Sequence, residues 1–179
     1  MMTHQEALRK RLSKMAVVQP PSPWRPVISV AIGGLADGGY LPDSDIFLAI
    51  TSSGRGLFEA MTGKRIGRDR EDGGAWIDEI QLTATSIAPH EDVQVRIAGL
   101  SGGGLPHSTR DGWRLEMAAP DWPRIAVFLQ PLGCSVLVEN RASGARKIFD
   151  DYEPRVVGFS ETGRSFVIGT SDTLYFFGR

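Results

Sequence analysis

Hydrophobic residues near the start of the chain recur at the spacing of an amphipathic helix. They are Leu8, Leu12, Met15 and Ala16, and the positions between them are largely basic: Arg9, Lys10, Arg11 and Lys14. Thr3 and Glu6 have the spacing of a capping box, in which each side chain accepts a hydrogen bond from a backbone amide of the first turn. The pattern predicts a helix over residues 4–16, within an N-terminal segment 1–18. We interpret it as a terminal helix packed on the body, and the alternative is a basic arm that meets an acidic partner or a membrane surface.

A proline-rich connector follows at residues 19–26, where Pro20, Pro21, Pro23 and Pro26 occur within eight residues. Such a run neither continues a helix nor enters a central strand. We predict a stiff spacer between helix and body. The P-x-x-P spacing from Pro20 to Pro23 offers the alternative of a polyproline ligand.

From residue 27 onward the pattern changes to short runs of β-branched and aromatic residues separated by Gly, Pro, Asp and Ser. The predicted strands cover residues 27–32, 46–51, 56–60, 77–86, 93–98, 113–117, 125–129, 135–139, 146–149, 155–159, 165–170 and 173–177. The short connections leave no room for crossover helices, so the sheets should be mainly antiparallel. The sequence therefore predicts a single all-β domain over residues 27–179, with sandwich or blade-like sheets.

Two pairs of segments within this region are similar to each other. Residues 46–52 (IFLAITS) match 166–171 (FVIGTS), and 58–66 match 138–146, each with a strand, a Thr/Ser-Gly turn and a basic return strand. These segments resemble the hairpins of β-propeller blades of the WD40 type. Blades of about 40 to 45 residues would give fewer than four from a region of this length. We therefore expect a twisted sandwich or an open pair of blade-like sheets.

Composition and charge narrow the class of partner. The chain of 179 residues has 20 Lys plus Arg and 21 Asp plus Glu, a formal net charge of −1. This balance argues against nucleic acid as the primary partner, because such binding depends on a strong basic surface opposite the phosphates. The lone cysteine, Cys134, precedes an apolar run and is predicted to be a reduced interior thiol. No secretory pattern and no membrane-spanning run is present, so we expect a cytoplasmic protein.

Familiar catalytic and ligand-binding motifs are incomplete. Residues 99–103 match G-x-S-x-G, but Gly104 and Pro106 follow where that motif requires a helix. The histidines lie in unrelated segments, and residues 37–45, which lack the order of a calcium loop, are predicted to form a polar turn. We therefore expect no catalytic residue, no metal and no cofactor. The loop 101–110, which is rich in glycine, is either a connector or a rim loop used in recognition.

Two clusters combine carboxylates with an aromatic residue. The first lies within a charged segment, 64–79, that is predicted to be a solvated loop, and its members are Asp69, Glu71, Asp72, Trp76, Asp78 and Glu79. The second consists of Asp150, Asp151, Tyr152 and Glu153. Aromatic anchors with a charged rim are typical of protein interfaces and steer a basic partner. We predict that both clusters bind a partner, and the alternative is that each is a solvated turn.

The sequence thus favours a non-enzymatic protein that binds another protein. In overall character the chain resembles the small bacterial immunity proteins that neutralise a cognate toxin, which implies occlusion of a basic toxin domain. A small-molecule or carbohydrate-binding module would instead use Trp76, Trp113 or Trp122 as stacking platforms. A hydrolase that depends on Asp78 or Asp150 is the third hypothesis. Homo-oligomerisation is left open, since residues 174–177 either pair inside the sheet or offer an edge to another subunit.

Overall fold

The computed structural model describes residues 3–71 and 74–179, and these form a mainly β protein with one α-helix near the N-terminus. This confirms the predicted fold class. The strands are β1 (Arg25–Ala31), β2 (Leu35–Tyr40), β3 (Ile46–Thr51), β4 (Gly54–Glu59), β5 (Arg65–Asp69), β6 (Ile77–Asp78), β7 (Thr83–Thr85), β8 (Gln94–Arg96), β9 (Ala98–Gly99), β10 (Gly102–Gly103), β11 (Arg114–Ala118), β12 (Arg124–Gln130), β13 (Arg146–Tyr152), β14 (Val156–Phe159), β15 (Ser165–Gly169) and β16 (Thr173–Gly178).

The helix α1 (His4–Lys14) begins at the predicted capping box. The Thr3 hydroxyl accepts a hydrogen bond from the Glu6 amide at 3.2 Å, and the Glu6 carboxylate accepts one from the Thr3 amide at 2.7 Å. The helix ends two residues before the predicted boundary because the backbone at Met15 is already extended. Leu12, 3% exposed, anchors the helix on the body. The interpretation as a packed terminal helix is confirmed.

The strands form four antiparallel sheets, in agreement with the prediction from connection length. The terminal sheet has the order β1-β16-β15-β14, and the large sheet has the order β10-β9-β2-β3-β4-β5. The small sheet is β6-β7-β8, and the helix-covered sheet is β11-β12-β13. The hairpins β3–β4 and β15–β16 occupy the two segments whose sequences match.

The terminal sheet joins segments from opposite ends of the chain. β1 pairs with β16, from Arg25 opposite Gly178 to Ala31 opposite Thr173. β16 therefore lies inside the sheet, which decides between the two arrangements expected for residues 174–177. Strand β1 starts at Arg25, inside the predicted connector. Pro26 is accommodated there because β1 is an edge strand, where a missing amide donor is tolerated.

Buried clusters join neighbouring sheets in a fixed order. The first lies between the small and large sheets, where Val95 and Leu48 belong to one cluster. The second lies between the large and terminal sheets and includes Phe47 and Phe176. The third lies between the terminal and helix-covered sheets and includes Leu129 and Phe166. A fourth lies between α1 and the outer face of the helix-covered sheet, with Leu12 against Phe128. The helix-covered sheet is thus buried on both faces.

Three predictions of local structure are wrong. Residues 135–139 form no strand: the chain makes a turn in which the Val138 amide donates to the Ser135 carbonyl, followed by the 3₁₀ helix Glu139–Arg141. Cys134 is accordingly half-buried rather than interior. The apolar run had suggested a strand, but only Val136 is fully buried, while Leu137 and Val138 are exposed.

The other two predictions placed loops where the structure has strands. The charged segment 64–79 contains strand β5, and residues 37–45 contain most of β2. Both strands have few apolar residues because each packs closely through glycine: a Cβ atom at Gly67 in β5 would lie 2.3 Å from the carbonyl oxygen of Ala88. A Cβ atom at Gly39 would lie 1.9 Å from the carbonyl oxygen of Arg96, so a side chain does not fit there. The predicted strands 77–86 and 93–98 are each divided into two short strands.

Candidate functional site

The two predicted acidic clusters lie on different sheets. The first extends from the end of β5 to β6, beside the large and small sheets, and the second lies at the end of β13 in the helix-covered sheet. Trp76 packs against the core cluster between the small and large sheets, whereas Phe149, beside the second cluster, belongs to the cluster under the terminal sheet. Asp72 lies outside the described residues. The structure does not bring the two clusters into one site.

Two members of the first cluster serve the interior. Asp69 forms an ion pair with Arg55 at 2.5 Å, and Arg55, 7% exposed, also donates to the Thr85 carbonyl at 2.7 Å. The guanidinium lies 4.5 Å from the ring centre of Trp76. Hydrogen bonds from the Glu71 amide and from Arg55 lower the pKa of the Asp69 carboxyl. Asp69 and Trp76 therefore hold a buried arginine and are largely unavailable to a partner.

Two other members of the first cluster, Asp78 and Glu79, border a shallow basin of about 760 Å³. Asp78 accepts hydrogen bonds from the amides of Ile80 and Gln81, both at 2.9 Å, so its carboxylate stabilises the turn after β6. Glu79 is exposed on the same basin, and Ile80 is 90% exposed. We call this surface, Trp76 with Asp78, Glu79 and Ile80, the basin. Its freely exposed carboxylate is Glu79, with Glu71 exposed nearby in sequence.

In the second cluster, Asp150 is committed to two cations. Its carboxylate contacts the Lys147 ammonium at 2.8 Å and the Arg124 guanidinium at 3.0 Å. The Lys147 side chain is only 1% exposed. Burial acts to raise the pKa of Asp150, but the hydrogen bonds from Lys147 and Arg124 outweigh it, so the pKa lies below its ordinary value. Asp150 thus compensates a buried lysine.

The other members of the second cluster face solvent beside an exposed tryptophan. In the register of β12 and β13, Arg124 lies opposite Tyr152 and Ile125 opposite Asp151. Trp122, two residues before Arg124, therefore lies at the same end of the sheet as Glu153. Trp122 is 76% exposed and Tyr152 58% exposed. We call this surface the ridge: Trp122, Arg124, Asp151, Tyr152 and Glu153.

The ridge depends on a pairing that no local pattern indicates. Trp122 and Tyr152 are thirty residues apart along the chain, and only the antiparallel register of β12 and β13 brings their ends of the strands together. The Arg124 guanidinium lies 5.9 Å from the Tyr152 ring centre and donates to Asp150, which links the exposed aromatic to the buried ion pair. The sequence signal that could have found the ridge is Trp122 just before the predicted strand 125–129 and Tyr152 just after the predicted strand 146–149, but a further strand predicted at 135–139 concealed their pairing.

The remaining tryptophans are packed rather than displayed. Trp24 is 3% exposed, and Trp113 is half-buried with its ring edge against Trp24 at a centroid distance of 6.1 Å. Arg55 covers Trp76. Of the three platforms predicted for a carbohydrate or small molecule, Trp122 alone is exposed.

The glycine-rich loop is attached to the large sheet. Both the amide and the hydroxyl of Ser101 donate to the buried carboxylate of Asp37, each at 2.9 Å. Gly102 and Gly103 form β10 against β9. Beyond them, residues 104–106 line a cavity of about 280 Å³. The loop is therefore a fixed wall rather than a loose connector.

Among residues 3–71 and 74–179, no group of three or more His, Cys, Asp and Glu side chains is placed to hold a metal ion. In the same part of the chain, no helix combines the length and the apolar character needed to cross a membrane. No protein-family model matches the chain, and no curated protein matches it either. The surfaces described above therefore carry the evidence on function.

Proposed function

We propose that this protein has no catalytic activity of its own and binds another protein through the ridge, in the manner of a bacterial immunity protein that occludes a basic toxin domain in the cytoplasm. The observation that carries the proposal is the exposure of Trp122 and Tyr152 at one end of one sheet. Large exposed aromatics next to an arginine are the residue types that contribute most binding energy at protein interfaces. Trp122 and Tyr152 are exposed and add nothing to the hydrophobic core, so their apolar surface is available to a partner.

Charge supports a basic partner. Asp151 and Glu153 are exposed on either side of Tyr152. Carboxylates beside an aromatic anchor attract a basic surface during encounter and reject an acidic one. Asp150, in contrast, is neutralised by Lys147 and Arg124, so it adds rigidity rather than attraction.

Rigidity also favours the ridge. Arg124 binds both the carboxylate and the carbonyl of Asp150, at 3.0 and 2.6 Å. The ends of the two strands are thereby held together before any partner arrives. A surface that is already ordered loses less conformational entropy on binding, which increases affinity for the same contacts.

The basin is a weaker candidate for the same role. Its acid Asp78 is used in a turn, and its aromatic Trp76 packs one ring face on the buried Arg55. The side chains that the basin exposes to a partner are Ile80 and Glu79. We assign it at most a secondary contact.

A carbohydrate or small-molecule module is the second candidate, and one observation favours it: an exposed indole such as Trp122 also stacks on sugar rings. Tryptophan fluorescence during titration with sugars, compared between wild type and Trp122→Phe, distinguishes the two. The hydrolase hypothesis gains no support, because Asp78 and Asp150 lie on different sheets and each already accepts hydrogen bonds.

The test is affinity capture with an N-terminal tag, since the C-terminal strand β16 lies inside a sheet. Native lysate of the source cells is passed over wild type, over Tyr152→Ala with Asp151→Lys, and over the matched control Glu71→Lys with Glu79→Lys. We expect one stoichiometric protein on wild type and on the control, released by high salt, and its loss from the ridge variant.

The immunity role is tested separately with the captured partner. Expressed alone, that partner should arrest growth, and coexpression of wild type should relieve the arrest while the ridge variant does not. Equal capture by the ridge variant and wild type would contradict the ridge as the binding surface. A partner that is harmless when expressed alone would contradict the immunity role.

A further inference from the structure

A second candidate site lies away from the ridge, where the glycine-rich loop meets the end of β2 and the turn after β14. It is a cavity of about 280 Å³, and its lining includes Tyr40, Arg96, Gly104, Leu105, Phe159 and Glu161. These residues come from the small, large and terminal sheets and the loop between them, whereas the ridge belongs to the helix-covered sheet. None of the residues predicted as partner-binding lines it.

Two opposite charges face this cavity without pairing. Arg96 is exposed and forms no ion pair within residues 3–71 and 74–179. One oxygen of Glu161 accepts a hydrogen bond from the Asp43 amide at 3.0 Å, and the other has no recorded partner in that same part of the chain. A cation and a carboxylate that border one small cavity and stay apart can each take a group of opposite charge from a ligand.

The inner wall is apolar apart from one hydroxyl. Leu105 is 9% exposed, Phe159 is fully buried, and Tyr40 is 6% exposed. The Tyr40 hydroxyl is itself buried and lies beside Ser165 and Asp45, so it is closed to a ligand. The wall therefore presents an apolar surface to the cavity, which suits an apolar group of a ligand.

Gly104 lines this cavity and leaves room for a side chain. A Cβ atom at Gly104 would meet no atom within 4 Å, so space remains in front of the backbone. The preceding glycine is different: at Gly103, with φ +79°, a Cβ atom would lie 2.1 Å from the carbonyl oxygen of Ile97. The loop is pressed against β9 at Gly103 and is open at Gly104.

We propose that this cavity binds a small zwitterion of the amino-acid class. The ligand carboxylate pairs with Arg96, its ammonium group with the free oxygen of Glu161, and its apolar side chain lies against Leu105. Pockets for drug-sized ligands start at about 300 Å³, so a cavity at this lower bound suits a single amino acid. The inference is independent of the ridge and of the partner protein.

Calorimetric titration with L-leucine tests the proposal, and two analogues each remove one charge. N-acetyl-L-leucine lacks the ammonium group and isoamylamine lacks the carboxylate. We expect leucine to bind and each analogue to bind at least about tenfold more weakly, because hydrogen bonds between charged groups are lost. Failure of leucine to bind at millimolar concentration, or equal binding of N-acetyl-L-leucine, would overturn the proposal.

The variant Gly104→Val adds a side chain at the wall of the cavity with little risk to folding, because the position is open and its φ is not in the left-handed region. It should weaken leucine binding with an unchanged melting temperature, and Gly33→Val is the matched control, since Gly33 is equally open and has no positive φ. Arg96→Gln and Glu161→Gln should each weaken leucine binding at least about tenfold, because each removes a charged hydrogen-bond partner of the ligand. Wild-type affinity in both charge variants would show that leucine binds elsewhere.

Discussion

The first and second acidic clusters have nearly the same composition but differ in which side chains they expose. In each cluster one carboxylate pairs with a buried cation, Asp69 with Arg55 and Asp150 with Lys147. In the first, Asp78 also stabilises a turn, and Trp76 packs on the buried guanidinium. In the second, Asp151, Tyr152 and Glu153 are all exposed. The clusters therefore differ in their aromatic residue, which is packed in the first and exposed in the second.

The largest expected change in the free energy of unfolding follows from replacing Asp150, and the exposed acids beside it should contribute far less. Asp150→Ala leaves the Lys147 ammonium buried without its anion, and breaking such a pair costs about 3–5 kcal/mol of unfolding free energy. Asp151→Ala, at an exposed position, should change it by less than about 0.5 kcal/mol. Urea denaturation measures both.

A compensating variant sharpens this test. Adding Lys147→Met to Asp150→Ala removes the unpaired charge and should restore most of the lost stability, because an apolar side chain of similar length replaces a buried ion. A small loss in Asp150→Ala alone would mean that Lys147 reaches solvent, and the contrast between Asp150 and its neighbours would fail.

The next effect compares the ridge with the basin in binding. Trp122→Ala and Tyr152→Ala should each weaken binding of the captured partner by about 2 kcal/mol or more, roughly thirtyfold in Kd, as expected for aromatic anchors at an interface. Ile80→Ala in the basin should cost less than about 1 kcal/mol. Titration calorimetry with the purified partner gives the three values, and a larger loss at Ile80 would reverse the assignment.

The pH dependence of stability distinguishes a carboxylate that pairs with a buried cation from one that faces solvent. The pKa of Asp150 in the folded protein lies below its ordinary value of 3.8, because hydrogen bonds from Lys147 and Arg124 outweigh burial. The folded state therefore binds fewer protons than the unfolded chain in this range. The stabilisation is complete above the ordinary pKa and is lost as pH falls through the lowered one.

Melting temperatures between about pH 5 and pH 3 measure this loss. Asp150→Asn should start from a lower melting temperature and fall less steeply than wild type, since its side chain no longer titrates. Asp45 and Asp111 also have lowered pKa values, Asp45 because hydrogen bonds from Ser165, Ser160 and Thr162 outweigh its burial, and Asp111 mainly through Arg179. Some acid sensitivity therefore persists, and an unchanged slope in Asp150→Asn would contradict the role given to Asp150.

The smallest expected effect concerns salt. Exposed charges contribute about 0–1 kcal/mol each and are screened by added salt. Glu153→Gln should lower the association rate with a basic partner at low salt and reduce its dependence on salt, with little change in the dissociation rate. Glu79→Gln is the matched change in the basin, and stopped-flow kinetics should detect no difference from wild type there.

The errors of sequence interpretation have a common origin. The hairpins β3–β4 and β15–β16 were predictable because their apolar runs are continuous and end at turn residues. Strand β2 was missed because its packing depends on Gly38 and Gly39 lying close to Phe47 and Arg96, and a strand held by close backbone contact has no apolar pattern. Residues 135–139 have such a pattern but turn instead, since Gln130 accepts a hydrogen bond from the Val136 amide.

The same distinction applies to the candidate sites. Sequence identified Asp150–Glu153 as acidic and aromatic, and Trp122 as a possible platform. It could not indicate that Lys147 is buried beneath Asp150 or that Arg96 and Glu161 border one cavity. The first fact depends on what the rest of the chain packs around Lys147, and the second joins residues that are sixty-five positions apart in the sequence.

By itself the sequence determined the capped N-terminal helix, the antiparallel β class and the near-neutral net charge, because capping, periodicity and net charge are local or additive properties. The tertiary structure alone decided which carboxylates neutralise buried cations, which tryptophan faces solvent, and that β1 joins β16. These follow from strand register and sheet packing, where the desolvation of each charge depends on what the rest of the chain places around it.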